Sequence, residues 1–343
     1  MDDRATSMRA DEPEAILHGG DLAAISRRYP DAPQPWIDLS TGINPIPYPV
    51  PAIPAESWAR LPGKYENDAL RAAAAARHGV AEPDMIVAAP GTQALLQILP
   101  RLRPPATVAV LAPTYEEHAL CWRRCGHRVS LVDDLDALAG ADVAVVVNPN
   151  NPTGRLLPRD ALVSIAAGLR RRDGLLIVDE AFIDLYPADA SLAADLPPAT
   201  IVLRSFGKVY GLAGVRLGFA IGSVDIVRQL RDALGPWAVS GPALAIGTTA
   251  LADENWLHQT RARLAKDCSR IDDLLSMAGC AVLGGTPLFR LITSPSAPDI
   301  AERLARHGIH VRRFPAQTSW LRFGLPGHET GWQRLAQALG SAS

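Results

Sequence analysis

With 343 residues, 48% of them hydrophobic, the chain is long enough for a substantial core and for about two domains. A formal net charge of -2 excludes a basic nucleic-acid surface, and no apolar run is long enough to span a bilayer. The opening MDDRATSMRADEPEAILHGG mixes charges without an apolar centre, so no secretory signal is expected and a cytoplasmic protein is. Four cysteines agree with that: Cys121 and Cys125 are spaced for one helical face, Cys268 and Cys280 stand apart, and none has zinc-ligand or C-x-x-C spacing. They read as packing residues, and no metal site is expected.

Residues 1–15 are expected to be frayed. His18-Gly19-Gly20 precedes a helical segment from Asp21 to Arg28, with Asp21 as N-cap. The two glycines allow positive φ, so His18 can approach a ligand closely; a solvated loop histidine is the alternative. After Trp36–Thr41 and Gly42-Ile43-Asn44-Pro45, the proline-dense stretch to Pro54 cannot join a sheet ladder. It should cross the surface as an extended arm, of a kind that often reaches a neighbouring subunit. Lys64-Tyr65-Glu66-Asn67-Asp68 opens an alanine-rich helix over Ala69–Ala76. With Asn67 or Asp68 as its cap, Tyr65 falls in the loop just before, where on its own it reads as a packing aromatic.

A strand from Met85 to Ala89 runs into Pro90-Gly91-Thr92-Gln93 and a helix, Ala94–Leu102. Strand, glycine, hydroxyl, helix is a common way to present backbone N–H groups to a phosphate. The strand Val108–Leu111 ends at Ala112-Pro113-Thr114-Tyr115, where an aromatic at a strand's carboxyl end can stack on a planar ring. Val143–Val147 ends in the long turn Asn148-Pro149-Asn150-Asn151-Pro152-Thr153-Gly154, and Leu175–Val178 delivers Asp179-Glu180-Ala181-Phe182. A carboxylate directly after four apolar residues is expected to be buried and to need a cation. A pyridinium nitrogen supplies one; capping the following turn is the alternative.

The stretch Ile201–Gly222, IVLRSFGKVYGLAGVRLGFAIG, reads as two apolar strands, Ile201–Leu203 and Leu217–Ile221, joined by a glycine-spaced loop carrying Lys208. Apolar neighbours lower an ammonium's pKa and free the amine to form a Schiff base. Ser205 and Arg216 flank it, and a hydroxyl with a guanidinium suits a phosphate. Lysine imine beside phosphate describes pyridoxal 5'-phosphate (PLP); a surface lysine in a hairpin is the alternative. A nucleotide P-loop is excluded, because Val202 stands where its first glycine belongs and Val209 where Ser or Thr belongs. Beyond Pro236-Trp237-Ala238-Val239-Ser240 come helices Ala243–Leu251 and Trp256–Met277. The tail alternates a strand at Leu288–Ile292, a helix Ile300–His307, strands at His310–Phe314 and Trp320–Phe323, and a last helix. Arg322, inside an apolar strand, should pair with an acid or a ligand carboxylate.

The order Gly91-Thr92, Asn151-Pro152-Thr153-Gly154, Asp179-Glu180-Ala181, Ser205-x-x-Lys208, Arg216 and Arg322 resembles the fold-type-I PLP enzymes over nearly the whole chain. The resemblance implies an α/β fold, with a large domain around a mostly parallel sheet and a smaller α+β domain. The expected division is 1–45 as N-terminal arm and part of the small domain, 46–240 as the large PLP-binding domain, and 241–343 as the small C-terminal domain. By resemblance, Lys208 holds PLP covalently, Asp179 pairs with the ring nitrogen and Asn151 bonds the ring hydroxyl. Tyr115 stacks on the ring, while Gly91, Thr92, Ser205 and Arg216 hold its phosphate. Tyr65 reaches that phosphate from a second subunit, which implies a homodimer. Arg322 would take the substrate carboxylate, and His18 and Asn44 the substrate phosphate.

Within those enzymes the chain is similar to the branch of histidinol-phosphate aminotransferases and, more closely, of the threonine-phosphate decarboxylases of cobalamin biosynthesis. The closer match rests on His18-Gly19-Gly20, Leu39-Ser40-Thr41-Gly42-Ile43-Asn44-Pro45, Asp179-Glu180-Ala181-Phe182-Ile183-Asp184 and Pro236-Trp237-Ala238-Val239. Phe182 stands where many aminotransferases have a tyrosine. The implied substrate is a small phosphorylated amino acid, L-threonine O-3-phosphate, and the product (R)-1-amino-2-propanol O-2-phosphate. Amino transfer on histidinol phosphate or an aromatic amino acid is the second enzymatic reading. A third reading, a noncatalytic PLP-binding regulator, would need a DNA-binding module, which the few residues before His18 and the slightly acidic charge are not expected to provide.

Overall fold

The structure is a computed structural model and describes residues 18–340; the expectation of a frayed segment over residues 1–15 lies outside them. The strands in chain order are β1 (Ile37–Leu39), β2 (Ile86–Ala89), β3 (Thr107–Leu111), β4 (Arg128–Val132), β5 (Val143–Val147) and β6 (Leu175–Asp179). There follow β7 (Thr200–Ser205), β8 (Gly218–Ile221), β9 (Ala281–Thr286), β10 (Phe289–Thr293), β11 (Ile309–Arg313) and β12 (Trp320–Phe323). A seven-stranded sheet has the order β2-β8-β7-β6-β5-β3-β4, in which only β8 opposes its neighbours. A five-stranded sheet has the order β1-β11-β12-β10-β9, so the chain's first strand closes the edge of a sheet otherwise built from its last hundred residues. The mostly parallel sheet agrees with the expected fold class.

β5 is buried at every position, as a central parallel strand covered on both faces must be. Leu176, Val178, Val202 and Phe219 belong to the apolar layer on one face, and Ile177, Ile201, Leu203 and Ala220 to the layer on the other. A third cluster, including Leu39, Phe289, Val311 and Phe323, belongs to the smaller sheet. Each fully buried Leu, Ile or Phe contributes about 1.5–3 kcal/mol, so three such layers hold the strand ends that carry the site. Among the described residues no helix is long and apolar enough to cross a membrane.

Four local expectations are corrected. The alanine-rich helix begins at Lys64, with Gly63 as N-cap, so Tyr65 lies in its first turn and not in a preceding loop. The Lys64–Asp68 ion pair and the Asn67 amide, which donates to the Gly63 carbonyl at 2.7 Å, extend the helix past the residues expected to cap it. Lys208 sits on a single helical turn, Phe206–Val209, and not in an open loop. The proline-dense segment carries no strand, yet it is pinned: Tyr48 is buried and its N–H donates to the Tyr210 carbonyl at 2.8 Å. Helix Thr92–Ile98 ends in a 3-10 turn at Leu99–Leu102, since Pro100 offers no backbone N–H. Strands β1, β4 and β9 had no sequence expectation; β9 holds Gly284 and Gly285, which weaken a strand pattern.

Candidate active site

Gly91-Thr92, Tyr115, Asn151, Asp179 and Lys208 all lie just past, or at, the carboxyl ends of β2, β3, β5, β6 and β7. Open α/β sheets place ligands at such ends. Lys208 is one of three lysines in the chain, with the exposed Lys64 and Lys266. Burial lowers its pKa to about 8, helped by the positive charges of Arg322 and Arg216 and opposed by Asp179. Its Nζ lies 5.6 Å from the centre of the Phe182 ring. Among the described residues it has no hydrogen-bond partner, which leaves its lone pair free for a carbonyl carbon once the proton is lost.

Asp179 is buried and accepts from the Ala181 N–H at 3.1 Å. Its other oxygen meets His118 Nε2 at 2.9 Å. His118, on the helix Glu117–Arg124, was missed from sequence. Its position three residues after Tyr115, on the buried face of that helix, is the only local signal. The Tyr115 and His118 rings meet edge to face at 6.1 Å, so the turn leading into this helix supplies the aromatic wall and the helix itself the carboxylate's partner.

Gly91 has φ +83°, and a Cβ there would fall 2.5 Å from Arg216 Nη2. Glycine is therefore required twice over, by backbone conformation and by the guanidinium lying across it. Gly218 plays a similar part for Thr92: a Cβ would stand 2.6 Å from the Thr92 N atom. Ser205, at the end of β7, is buried, and Arg216 is exposed with its own backbone at φ +56°. The structure thus brings Gly91, Thr92 and Arg216 into one cradle.

Arg322 is buried. Its Nη1 donates to Asn151 Oδ1, its Nη2 to the Ser40 carbonyl at 2.7 Å, and its Cζ lies 5.0 Å from the centre of the Phe289 ring. Burial, with Arg312 nearby, pulls its pKa down to about 10, so it stays charged at neutral pH. Arg312, which sequence reading passed over, is the register partner of Arg322 across β11 and β12. It is half-buried and, among the described residues, its side chain has no ion pair or hydrogen bond; its Cζ lies 5.6 Å from the centre of the Phe314 ring.

His18 is exposed, with Nε2 3.2 Å from Glu117 Oε1 and its ring 6.4 Å from that of Tyr115. Glu117 in turn accepts from Gln93 Nε2 at 2.9 Å, so His18 reaches the rim of the same site. Asn44 is buried and largely engaged. Its Nδ2 donates to the Val209 carbonyl at 2.8 Å, and its Oδ1 accepts from Arg263 Nη2 at 2.7 Å and from the Ile46 N–H at 3.1 Å. Its own N–H donates to the Lys208 carbonyl at 3.0 Å, which makes Asn44 a brace for the lysine turn, with one amide hydrogen left over. Tyr65 stands apart from this group, 83% exposed.

A buried amine, a buried carboxylate, a glycine-and-arginine cradle and two adjacent arginines on paired strands supply the groups that a phosphorylated aldehyde and an anionic amino acid would need. The chain belongs to the class I and II aminotransferase family, whose model matches residues 36–339. It is 43% identical over 327 residues to a threonine-phosphate decarboxylase of Pseudomonas aeruginosa, covering 94% of this chain and 97% of that one. A threonine-phosphate decarboxylase of a Sinorhizobium species is also 43% identical, over 331 residues and 94% of this chain and 97% of that one. The fold matches histidinol-phosphate aminotransferase from Sinorhizobium meliloti, solved in complex with pyridoxal-5'-phosphate, with a TM-score of 0.79, 23% identity, and coverage of 95% and 96% of the two chains.

Proposed function

We propose that this chain decarboxylates L-threonine O-3-phosphate with PLP as cofactor, giving 1-amino-2-propanol phosphate. The observation that carries the reading is the buried Lys208 amine beside two adjacent cations, Arg322 and Arg312. A substrate with both a carboxylate and a phosphate needs two such partners. The 43% identity to two threonine-phosphate decarboxylases favours loss of CO2 over amino transfer.

PLP fits the residues present. Thr92, Ser205 and Arg216 would hold its phosphate across Gly91, whose missing side chain leaves the space that the Arg216 guanidinium needs. Lys208 would bind its aldehyde carbon, Asp179 its ring nitrogen and Asn151 its ring hydroxyl, with Tyr115 against the ring face. Asp179 keeps its carboxylate aligned through His118 and the Ala181 N–H. Bound PLP supplies an electron sink for the pair left at the substrate's α-carbon when a bond there breaks.

Arg322 chooses that bond. Held by Asn151 and Ser40, its guanidinium would fix the substrate carboxylate and so set which bond of the α-carbon is presented to the electron sink. Arg312 and His18 are placed to take the substrate phosphate. As CO2 leaves, the α-carbon takes one proton in its place, so the amino group stays on the product and no keto acid is consumed. Lys208 Nζ, with its pKa lowered to about 8, exchanges a proton readily near neutral pH and would carry that transfer. Phe182 offers no hydroxyl to the site; its ring packs edge to face on Phe289 at 5.3 Å.

Purified protein incubated with PLP and L-threonine O-3-phosphate, without a keto acid, should release CO2 and aminopropanol phosphate in equal amounts. No CO2, with amino transfer appearing once 2-oxoglutarate and histidinol phosphate are added, would assign the site to the aminotransferase reaction instead.

A homodimer accords with the surface near Tyr65. Trp58, Leu61 and Tyr65 are 68%, 68% and 83% exposed, and Trp237 is 58% exposed on a segment that meets theirs where Gly241 packs on the Ser57 carbonyl. A second copy covering these side chains would bring Tyr65 to its partner's cofactor phosphate. Sedimentation should show a dimer, and a monomer with full activity would overturn this. Four unpaired cysteines suit a reducing cytoplasm, where such a reaction would supply the cobalamin side chain.

A further inference from the structure

Two adjacent acids, Asp179 and Glu180, face opposite sides of the large sheet. Along β6, Leu176 and Val178 pack in one apolar layer and Ile177 in the other. Asp179 continues the side of Ile177, where His118 meets it. Glu180, whose N–H still bonds the Leu203 carbonyl at 2.9 Å, continues the side of Val178 and is fully buried. In β7 Arg204 shares the side of Val202, so it points to Glu180 and away from the cofactor site.

Arg204 is 5% exposed and forks between two carboxylates. Its Nη1 donates to Glu180 Oε2 at 3.0 Å and to Ser191 Oγ at 3.2 Å, and its Nη2 pairs with Asp184 Oδ1. Ser191 Oγ donates to Glu180 Oε2 at 2.6 Å, and the Leu192 N–H to Glu180 Oε1 at 2.9 Å. Asp184 also faces Arg77 at 3.5 Å and the buried His78 at 4.0 Å, while its carbonyl accepts from Arg261 Nε at 2.8 Å. Two members of this cluster are tied to the site by the chain itself: Glu180 follows Asp179, and Arg204 stands four residues before Lys208.

We propose that Arg204 is a positioning residue for the reaction: by bridging Glu180 and Asp184 it sets the separation of the ends of β6 and β7, and with it the placement of Asp179 relative to Lys208. This rests on the PLP reading given above. Removing buried ions from water is costly, and apolar side chains of the same volume are often as stable. What the forked guanidinium adds is directional: two bonds from one rigid plane to acids just beyond one strand, from a residue on the next. A lysine keeps the charge and loses the fork.

The test is PLP titration of the apo-protein, read by near-visible absorbance, for wild type, Arg204→Lys and the milder Ser191→Ala, with urea unfolding in parallel. Arg204→Lys should raise the PLP dissociation constant about tenfold or more and shift the pH midpoint of the absorbance change. Ser191→Ala should move both the same way by a smaller factor, about threefold, and it decides the matter if Arg204→Lys does not fold. Lower unfolding midpoints with wild-type PLP affinity and a wild-type pH midpoint would show a merely structural cluster and overturn the proposal. A wild type that never develops the band would sink the PLP reading itself, and the positioning role with it.

Discussion

Lys208→Ala should reduce CO2 release from L-threonine O-3-phosphate by about 10³-fold or more and remove the near-visible absorbance of lysine-bound PLP. The variant loses both the amine that binds the cofactor and the group placed to carry a proton, and positioned proton transfer alone is worth about 10²–10⁴-fold. Burial is what makes the lysine useful. It lowers the pKa from 10.5 to about 8, so a sizeable fraction of the amine is neutral near physiological pH. Uptake of PLP by the wild-type apo-protein should therefore speed up as pH rises through 8 and level off above about 9, whereas an unshifted lysine would still be gaining at pH 10. Stability follows with a definite sign. Between pH 8 and 10.5 the unfolded chain holds a proton at Lys208 that the folded chain has lost, so this group makes the apo-fold more stable as pH rises across that window. A band that survives in Lys208→Ala, or PLP uptake flat across pH 8, would remove the lysine from the site.

Most of the cofactor set was legible because each member ends a short, strongly apolar strand. Asp179 after Leu175–Val178, the Asn151 turn after Val143–Val147 and Gly91 after Met85–Ala89 are local patterns, and strand ends of one sheet converge without further information. The partners of those residues are a different matter. His118 meets Asp179 across 61 residues, through the buried face of a helix that no local pattern ties to β6. Arg312 becomes visible only once β11 and β12 are in register, which puts it beside Arg322. The two faces of β6 likewise hid the Arg204 cluster: sequence presents Asp179 and Glu180 as one acidic pair, while the pleat sends them to opposite layers. Tyr65 was misplaced by a competition the reading could not weigh, between capping preferences at Asn67 and Asp68 and the i,i+4 pair Lys64–Asp68 that favours an earlier helix start.

Arg322→Lys should lower kcat/KM for L-threonine O-3-phosphate by about 10²–10⁴-fold while weakening PLP binding far less, since the phosphate cradle is untouched and Asn151 alone of the proposed cofactor set loses a partner. Arg322 already holds Asn151 Oδ1 with one terminal nitrogen and the Ser40 carbonyl with the other, and its buried Nε has no partner among the described residues. The guanidinium plane is thus fixed before substrate arrives, with hydrogen-bonding capacity left for a carboxylate. An ammonium has one nitrogen with which to satisfy Asn151, Ser40 and substrate together, and it cannot bind a carboxylate side-on. Two hydrogen bonds to a charged group, at about 1.5–3 kcal/mol each, account for the expected range. The loss should fall on kcat as well as KM. A carboxylate that is bound but free to rotate spends less time with its bond to the α-carbon perpendicular to the ring, and only that orientation releases CO2. The same looseness should let the α-hydrogen take the perpendicular place more often, so the variant's ratio of amino transfer to CO2 release, measured with 2-oxoglutarate present, should rise above that of wild type. A ratio unchanged while both rates fall would mean that Arg322 binds the substrate without aiming it, and the choice of bond would then lie with whatever holds the phosphate.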